Sequence, residues 1–238
     1  MSRSKSRLWL VIPVLALAVV TSACAGGADE KILLTKYFTA SKVSDNMTLS
    51  NIATVSFDPK TDGQMQTFSI VSVGEPVITP LEIKKHAEEL RAASAEEKTF
   101  SDKKKVFQDA NGDAIERILK AEQKGQTLKG KDAELQKEWT KWREDTATYA
   151  KKVSAVRKLV AAEQPIVEIS CQDQRNPIDT TAFEGESASK DVTIDARVKT
   201  DTGTVSKKYV LTLQRITLHG VNGKDVVGRW VVTKRQEL

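Results

Sequence analysis

The chain has 238 residues, with 37 Lys and Arg side chains against 32 Asp and Glu, and its formal charge is +5. Three of the basic residues lie in the first seven positions, so residues 24–238 carry 34 basic and 32 acidic side chains. This near balance lacks the positive excess typical of nucleic-acid binding, and we predict no nucleic-acid partner. The length suffices for one large domain or two small ones.

The N-terminus joins a basic segment to a short apolar one. Arg3, Lys5 and Arg7 precede an apolar run over residues 8–20, which also contains Pro13. A membrane-spanning helix needs roughly 20 apolar residues, so this run is too short to cross a bilayer. It fits the apolar region of an export signal instead.

Cys24 follows this run in the sequence Val20-Thr21-Ser22-Ala23-Cys24. The pattern resembles the lipobox of bacterial lipoprotein signal peptides. The resemblance implies a signal peptide over residues 1–23, a Cys24 thiol that carries a diacylglyceryl group, and an exported protein anchored to a membrane by its acyl chains. The alternative is an ordinary secretion site formed by Ala23 and Ala25, which would remove Cys24.

Helices are predicted after a short tether of small and acidic residues over 24–30. Residues 32–40 have apolar side chains at helical spacing, and residues 47–53 favour a second short helix behind a cap or turn at 44–46. β-Branched and aromatic residues then predict two strands at 55–57 and 66–73. The segment between them, with Pro59 and Gly63, is a turn signal.

Residues 81–163 differ from the rest of the chain, since 35 of these 83 residues are charged and none is Pro. Thr79, Pro80 and Glu82 match the start of a helix, with Thr79 as the N-cap. The helical pattern breaks near residues 99–104 and restarts. Gly125 and Gly130 then bracket the link to a second helical arm.

The second arm has apolar and aromatic residues at alternating steps of four and three, which is the spacing of a heptad seam. The seam consists of Leu135, Trp139, Trp142, Thr146, Tyr149, Val153, Val156 and Val160. Two arms joined by a short link predict an antiparallel helical hairpin over residues 81–163. We expect Trp139 and Trp142 to pack within the seam rather than to form a ligand cage.

The C-terminal part alternates apolar and polar residues over 192–199, which predicts a half-buried strand. A turn around Gly203 leads to a strand over 205–218, and Asn222-Gly223 predicts a tight turn before a last strand over 226–233. These hairpins favour an antiparallel sheet. We therefore predict an α+β fold, in which the helical hairpin interrupts a sheet domain formed by residues 31–80 and 164–238.

Cys171 is the only cysteine besides Cys24. In the segment 167–171 it shares strand parity with Val167 and Ile169, which predicts a buried, inert thiol. A catalytic cysteine would need a histidine partner, and nothing local links Cys171 to His86 or His219.

The segment Asp109-Ala110-Asn111-Gly112-Asp113 has the opening spacing of a calcium-binding EF-hand loop. That loop needs Gly at its sixth position and a bidentate Glu at its twelfth, and these positions hold Ala114 and Lys120. A turn or break within the helical part is the better interpretation. We predict no metal or cofactor site and no catalytic residues.

The element order outside the hairpin resembles the cystatin-like α+β fold, whose superfamily includes nuclear transport factor and ketosteroid isomerase. The resemblance rests on Tyr37-Phe38-Thr39-Ala40, on Asp45, and on Gly228-Arg229-Trp230-Val231-Val232 in the last strand. It implies a small-molecule pocket, or an enzyme site, between helix 32–40 and the sheet. The favoured hypothesis is a non-enzymatic binding or assembly role at the cell envelope, with a protein partner, and the cystatin-like pocket is the alternative.

Overall fold

The computed structural model describes residues 27–171, 173, 175 and 177–238. Its helices are α1 (Ala28–Lys42), α2 (Asn46–Ser50), α3 (Ile83–Gln123) and α4 (Lys131–Cys171). Its strands are β1 (Gln64–Val73), β2 (Val77–Pro80), β3 (Gly185–Thr200), β4 (Gly203–Val221), β5 (Lys224–Val227) and β6 (Val231–Glu237). The predicted α+β class is confirmed.

The six strands form one antiparallel sheet around the long β3–β4 hairpin. Its strands pair without a register shift from Gly185–Leu218 to Thr200–Gly203. On the outer side of β3, β2 and β1 follow each other along the strand, and β5 and β6 do the same along β4. Two short strands therefore flank each side of the central hairpin, and each pair leaves a gap between its members.

The sheet carries apolar cores on both faces. Val192 and Ile194 of β3 and Leu211 of β4 pack against α1 in one cluster. Ile216 and Leu218, which have the opposite parity on β4, belong to a second cluster with the helical hairpin. Because alternate residues of a strand point to opposite faces, α1 and the hairpin cover opposite faces of the sheet.

Helices α3 and α4 form the predicted antiparallel hairpin. Each has 41 residues, which corresponds to a length of about 60 Å. Gly125 and Gly130 both have positive φ at the two ends of the link. Trp139, Val153 and Val160 of the predicted seam are buried. A third apolar cluster, near the link, joins Trp139 to Ile115 and Ile118.

The predicted break near residues 99–104 is wrong, because α3 is continuous there. Its one non-helical residue is Asn111, with φ −125° and ψ 19°, and the Asn111 side-chain amide donates a 2.9 Å hydrogen bond to the Phe107 carbonyl. A side chain that binds the backbone of the preceding turn competes with the helical pattern and bends the helix. The segment 109–113 is thus a kinked part of α3.

Two boundaries of the hairpin differ from the prediction. The proposed helix cap at Thr79 is wrong, because Thr79 and Pro80 belong to the edge strand β2 and α3 begins at Ile83. The strand proposed for residues 167–171 is also wrong, because α4 continues through Pro165 to Cys171. Val167 and Cys171 lie four residues apart, so the same apolar residues form a helical face against the sheet.

Two predicted strands are also corrected. Residues 55–57 form no strand, although Phe57 is buried against the sheet. The last predicted strand, 226–233, is divided into β5 and β6 by the irregular residues 228–230. The turns at Gly203 and at Asn222-Gly223 are confirmed.

The C-terminal end of α4 fills the gap between β5 and β6. The Ser170 hydroxyl accepts a 3.0 Å hydrogen bond from the Ile216 N–H and donates one of 2.8 Å to the Arg229 carbonyl. In return, Arg229 donates from its backbone N–H to the Ser170 carbonyl and from its side chain to the Ile169 carbonyl. Two of the carbonyls that the end of α4 leaves without a helical partner, those of Ile169 and Ser170, are therefore satisfied by Arg229.

We expect Ser170→Ala to destabilise the whole protein. The substitution leaves the buried Ile216 N–H without a partner, which costs about 1–3 kcal/mol. Chemical denaturation would measure the change in the free energy of unfolding. Ser154→Ala, at an exposed position of the same helix, is the control and should stay within about 0.5 kcal/mol of the parent protein. Equal effects of the two substitutions would contradict the assigned role of Ser170.

Candidate functional site

The predicted lipidation residue, Cys24, lies outside the described residues. The structure describes the chain from Gly27 onward, and α1 begins at Ala28. The predicted tether over residues 24–30 is therefore too long, because its last three residues are helical. No helix among the described residues is long and apolar enough to cross a membrane.

Side chains fill the space between α1 and the sheet, where the cystatin-like resemblance places a pocket. Tyr37 and Phe38 of α1 meet Phe57 and Tyr209, and none of these four residues is more than 4% exposed. Phe38 and Phe57 are perpendicular at 5.3 Å, and Phe57 and Tyr209 are nearly so at 5.8 Å. Burial raises the pKa of the Tyr37 hydroxyl. Edge-to-face packing of this kind stabilises the core at this position. An open groove of about 620 Å³ remains between the start of α1 and strand β1.

A buried ion pair joins the start of α1 to the sheet. Glu30 and Lys190 form a salt bridge in which their side chains are only 7% and 10% exposed. The Lys190 ammonium also lies 4.1 Å from the centre of the Trp230 ring, and the Arg215 guanidinium lies 4.8 Å from it. Each charge is engaged by a neighbour, which is typical of a structural cluster.

The base of the hairpin contains a second partly buried pair. His86 Nδ1 lies 3.6 Å from the Glu163 carboxylate, with the two side chains 15% and 29% exposed. Burial raises the pKa of Glu163, while His86 lowers it. This contact connects the first turns of α3 to α4. It brings together one carboxyl group and one imidazole.

Cys171 has the environment of a packed thiol, as predicted, although on a helix. It is 8% exposed, and its Sγ lies 3.5 Å from the Ile216 carbonyl. Burial raises the pKa of the thiol, which lowers its reactivity. His86 pairs with Glu163, and His219 pairs with Asp225 at 3.1 Å. Among the described residues, no cluster of His, Cys, Asp or Glu side chains could hold a metal ion.

The most distinctive surface of the hairpin is a ladder of aromatic rings. Phe100 stacks on Tyr149 at 4.7 Å and lies 5.1 Å from Trp142, and Trp142 lies 5.5 Å from Phe107. All four rings are only partly buried. Trp142 and Tyr149 belong to the predicted seam. Phe100 and Phe107 were not predicted to join it, although they are seven positions apart and so share a helical face.

An open groove of about 600 Å³ runs beside the end of this ladder that lies nearer the sheet. Phe100 and Tyr149 form its apolar part, and charged and polar residues border it. The bordering residues are Ser94, Glu97, Lys98, Ser101, Asp102, Lys104, Lys105, Gln108 and Thr146. An apolar strip with a polar border is the usual composition of a protein-binding surface.

Comparisons with known proteins find no relative of this chain. No family model matches the chain, and neither a curated protein nor a solved structure does. The resemblances to bacterial lipoproteins and to the cystatin-like fold therefore stay predictions.

We expect Lys190→Met to destabilise the protein strongly. The substitution leaves the Glu30 carboxylate buried without its partner, which costs about 3–5 kcal/mol. The double substitution Glu30→Gln with Lys190→Met should recover most of this loss, because it removes both charges. Denaturation of the two variants and the parent protein would measure the coupling. A double variant no more stable than Lys190→Met would contradict the assigned pairing.

Proposed function

We propose that this chain is a lipid-anchored binding or assembly protein of the cell envelope, in which Cys24 carries the acyl chains and the helical hairpin binds a protein partner. The observation that carries the proposal is the aromatic ladder on the hairpin. Phe100 and Tyr149 line an open groove about 25 Å along α3 from its first residue. Large rings left half-exposed are favoured anchors of protein interfaces.

The width of the hairpin explains why these rings stay half-exposed. Over residues 94–108, α3 packs against α4 alone, because the apolar clusters shared with the sheet lie at the base of the hairpin. Two helices bury only one side of each seam residue. A third helix or a flat apolar surface laid on the groove would complete the burial, as in helix-in-groove recognition.

The packing of α1 favours this proposal over the cystatin-like alternative. A ligand-binding domain of that kind needs a concave, mostly apolar pocket with a few convergent polar groups. In this chain Tyr37, Phe38 and Tyr209 occupy the corresponding space. The groove of about 620 Å³ beside these rings, lined by Glu30, Lys31 and strand β1, is open at the edge of the sheet. A binding role on the outer surface therefore fits the chain better than an enclosed pocket.

Cys24→Ser tests the anchor. Without the thiol no acyl chain can be attached, so we expect the variant to lose labelled palmitate and to accumulate as unprocessed precursor. Membrane fractionation and intact mass would follow the wild-type protein and the variant in the same host. Cys171→Ser is the matched control and should keep both label and processing. Wild-type protein recovered soluble, unlabelled and without Cys24 would instead indicate ordinary secretion.

Photo-cross-linking tests the partner surface. A photoreactive residue at Ser101 or Gln108, which border the groove, should give a cross-linked adduct in cells that produce the full chain. The same residue at Val106, which is 70% exposed but outside the groove, is the control. Replacing Phe100 and Tyr149 together by Ala should abolish the adduct, because loss of such anchors costs about 2 kcal/mol or more of binding.

Two results would contradict the partner surface. One is an adduct formed as readily from Val106 as from Ser101. The other is an adduct that persists at full yield in the Phe100→Ala, Tyr149→Ala variant. Circular dichroism of that variant should show an intact helical signal, which excludes unfolding as the cause of a lost adduct.

A further inference from the structure

The outer face of α1 is apolar and exposed. Ile32 of α1 is 69% exposed, and Val43, which directly follows the last residue of α1, is 68% exposed. Met47 on the adjoining α2 is 80% exposed. Scattered apolar side chains are normal on a protein surface. These three occur within sixteen residues of chain, in the first two helices that the structure describes and the short link between them.

Helical geometry places this face opposite the buried one. Glu30, Leu34, Tyr37 and Ser41 of α1 are buried. At 100° per residue, a stripe on the other side of the helix consists of Ala28, Ile32, Thr35 and Thr39, and the C-cap residue Val43 extends it. The stripe lines a mostly apolar, open groove of about 730 Å³, which Asp45 and Thr48 at the start of α2 close on one side.

Lysines border the stripe on both sides. By the same helical geometry, Lys31 and Lys42 lie on one side of it, and Lys36 lies on the other side together with the exposed Asp29. None of these three lysines forms a salt bridge with another described residue, in contrast to Lys190 on the sheet side of α1. Lys36 only contributes to lowering the pKa of Asp45, after the hydrogen bonds from Thr48. An apolar stripe between lysines is typical of a helix that lies on an anionic membrane surface.

The segment that connects Cys24 to α1 is very short. Ala28 is four residues beyond Cys24, and four residues span at most about 14 Å when fully extended. If the Cys24 acyl chains enter a bilayer, the first turn of α1 must lie within that distance of the headgroups. The helix nearest the membrane is thus the one whose outer face is apolar and bordered by positive charge.

We propose that this outer stripe of α1, together with Met47, rests on the anionic phospholipid surface that holds the anchor. The inference depends on the lipidation of Cys24 proposed above. The stripe adds a second contact with the bilayer and fixes how the sheet is oriented on it. The helical hairpin, which packs on the opposite face of the sheet, is then directed away from the membrane.

The test uses an environment-sensitive dye on Thr39→Cys in the full chain, with Thr202→Cys in the β3–β4 turn as the control. The acylated protein is reconstituted in phosphatidylcholine vesicles with or without phosphatidylglycerol. We expect the Thr39 dye to emit at shorter wavelength and to be quenched by spin-labelled lipid, and the Thr202 dye to do neither. The effect should be stronger with phosphatidylglycerol.

Charge variants test the lysines. Replacing Lys31, Lys36 and Lys42 by Gln should weaken the contact of the Thr39 dye with phosphatidylglycerol vesicles about fivefold for each lysine removed. Replacing Lys103, Lys105 and Lys158, exposed residues of the hairpin, removes the same charge elsewhere and should leave the dye signal unchanged. Equal effects of the two triple variants would overturn the proposal.

Separate outcomes distinguish the stripe from the anchor. If the protein is acylated by mass but the Thr39 dye is as exposed as the Thr202 dye, the stripe proposal is overturned and the anchor stands. If the protein is not acylated, the anchor fails, and the same labelled protein is added to phosphatidylglycerol vesicles. A shift of the Thr39 dye then supports a membrane-binding stripe, and no shift overturns it.

Two other partners could cover the stripe, and each would change the emission of the Thr39 dye in a different way. A Thr39 shift that needs no vesicles and rises with protein concentration would show a second copy of the chain. A shift seen only in unprocessed precursor would show that residues 8–20 cover the stripe. Either result would overturn the membrane contact.

Discussion

The hydroxyl of Ser170 makes the hydrogen bonds on which the union of helices and sheet depends. It fits between β5 and β6, where the edge of the sheet is open, and it bonds to Ile216 on one side and Arg229 on the other. Gly228 makes this approach possible, because a Cβ there would stand 2.3 Å from the hydroxyl. A continuous edge strand would have paired with β4 itself and left the Ser170 hydroxyl no access to the Ile216 N–H.

Strand β4 contributes residues to two apolar cores, because its apolar residues change from odd-numbered to even-numbered positions along the strand. Tyr209, Leu211 and Leu213 point to the α1 face, whereas Ile216 and Leu218 point to the hairpin face. The regular pairing with β3 shows that no bulge causes the change. A switch from odd to even apolar positions along one strand therefore marks the point where the covered face of the sheet changes. This signal is present in the sequence alone.

Long periodic segments were predictable from sequence, and short ones were not. The seam around Trp139 and the alternation over 192–199 each extend over enough residues to distinguish helix from strand. Residues 167–171 are too few to distinguish a helix from a strand. Pro80 is equally compatible with the end of an edge strand and with the first turn of a helix. The half-exposure of Phe100 depends on the number of helices that pack together, which no local pattern encodes. The lipidation of Cys24 rests on resemblance alone and stays a prediction.

The position of the hairpin in the chain has a consequence for the order of folding. Pro80 of β2 pairs with Glu186 of β3, although the whole helical insertion separates them. A flexible loop of about 100 residues would make this closure cost about 4 kcal/mol in chain entropy. Antiparallel α3 and α4 instead bring Ile83 and Val167 together in one cluster. We expect the local α3–α4 and β3–β4 hairpins to form first. Strands β1 and β2 would then pair with β3 after the helical hairpin has already brought the two ends of the insertion together.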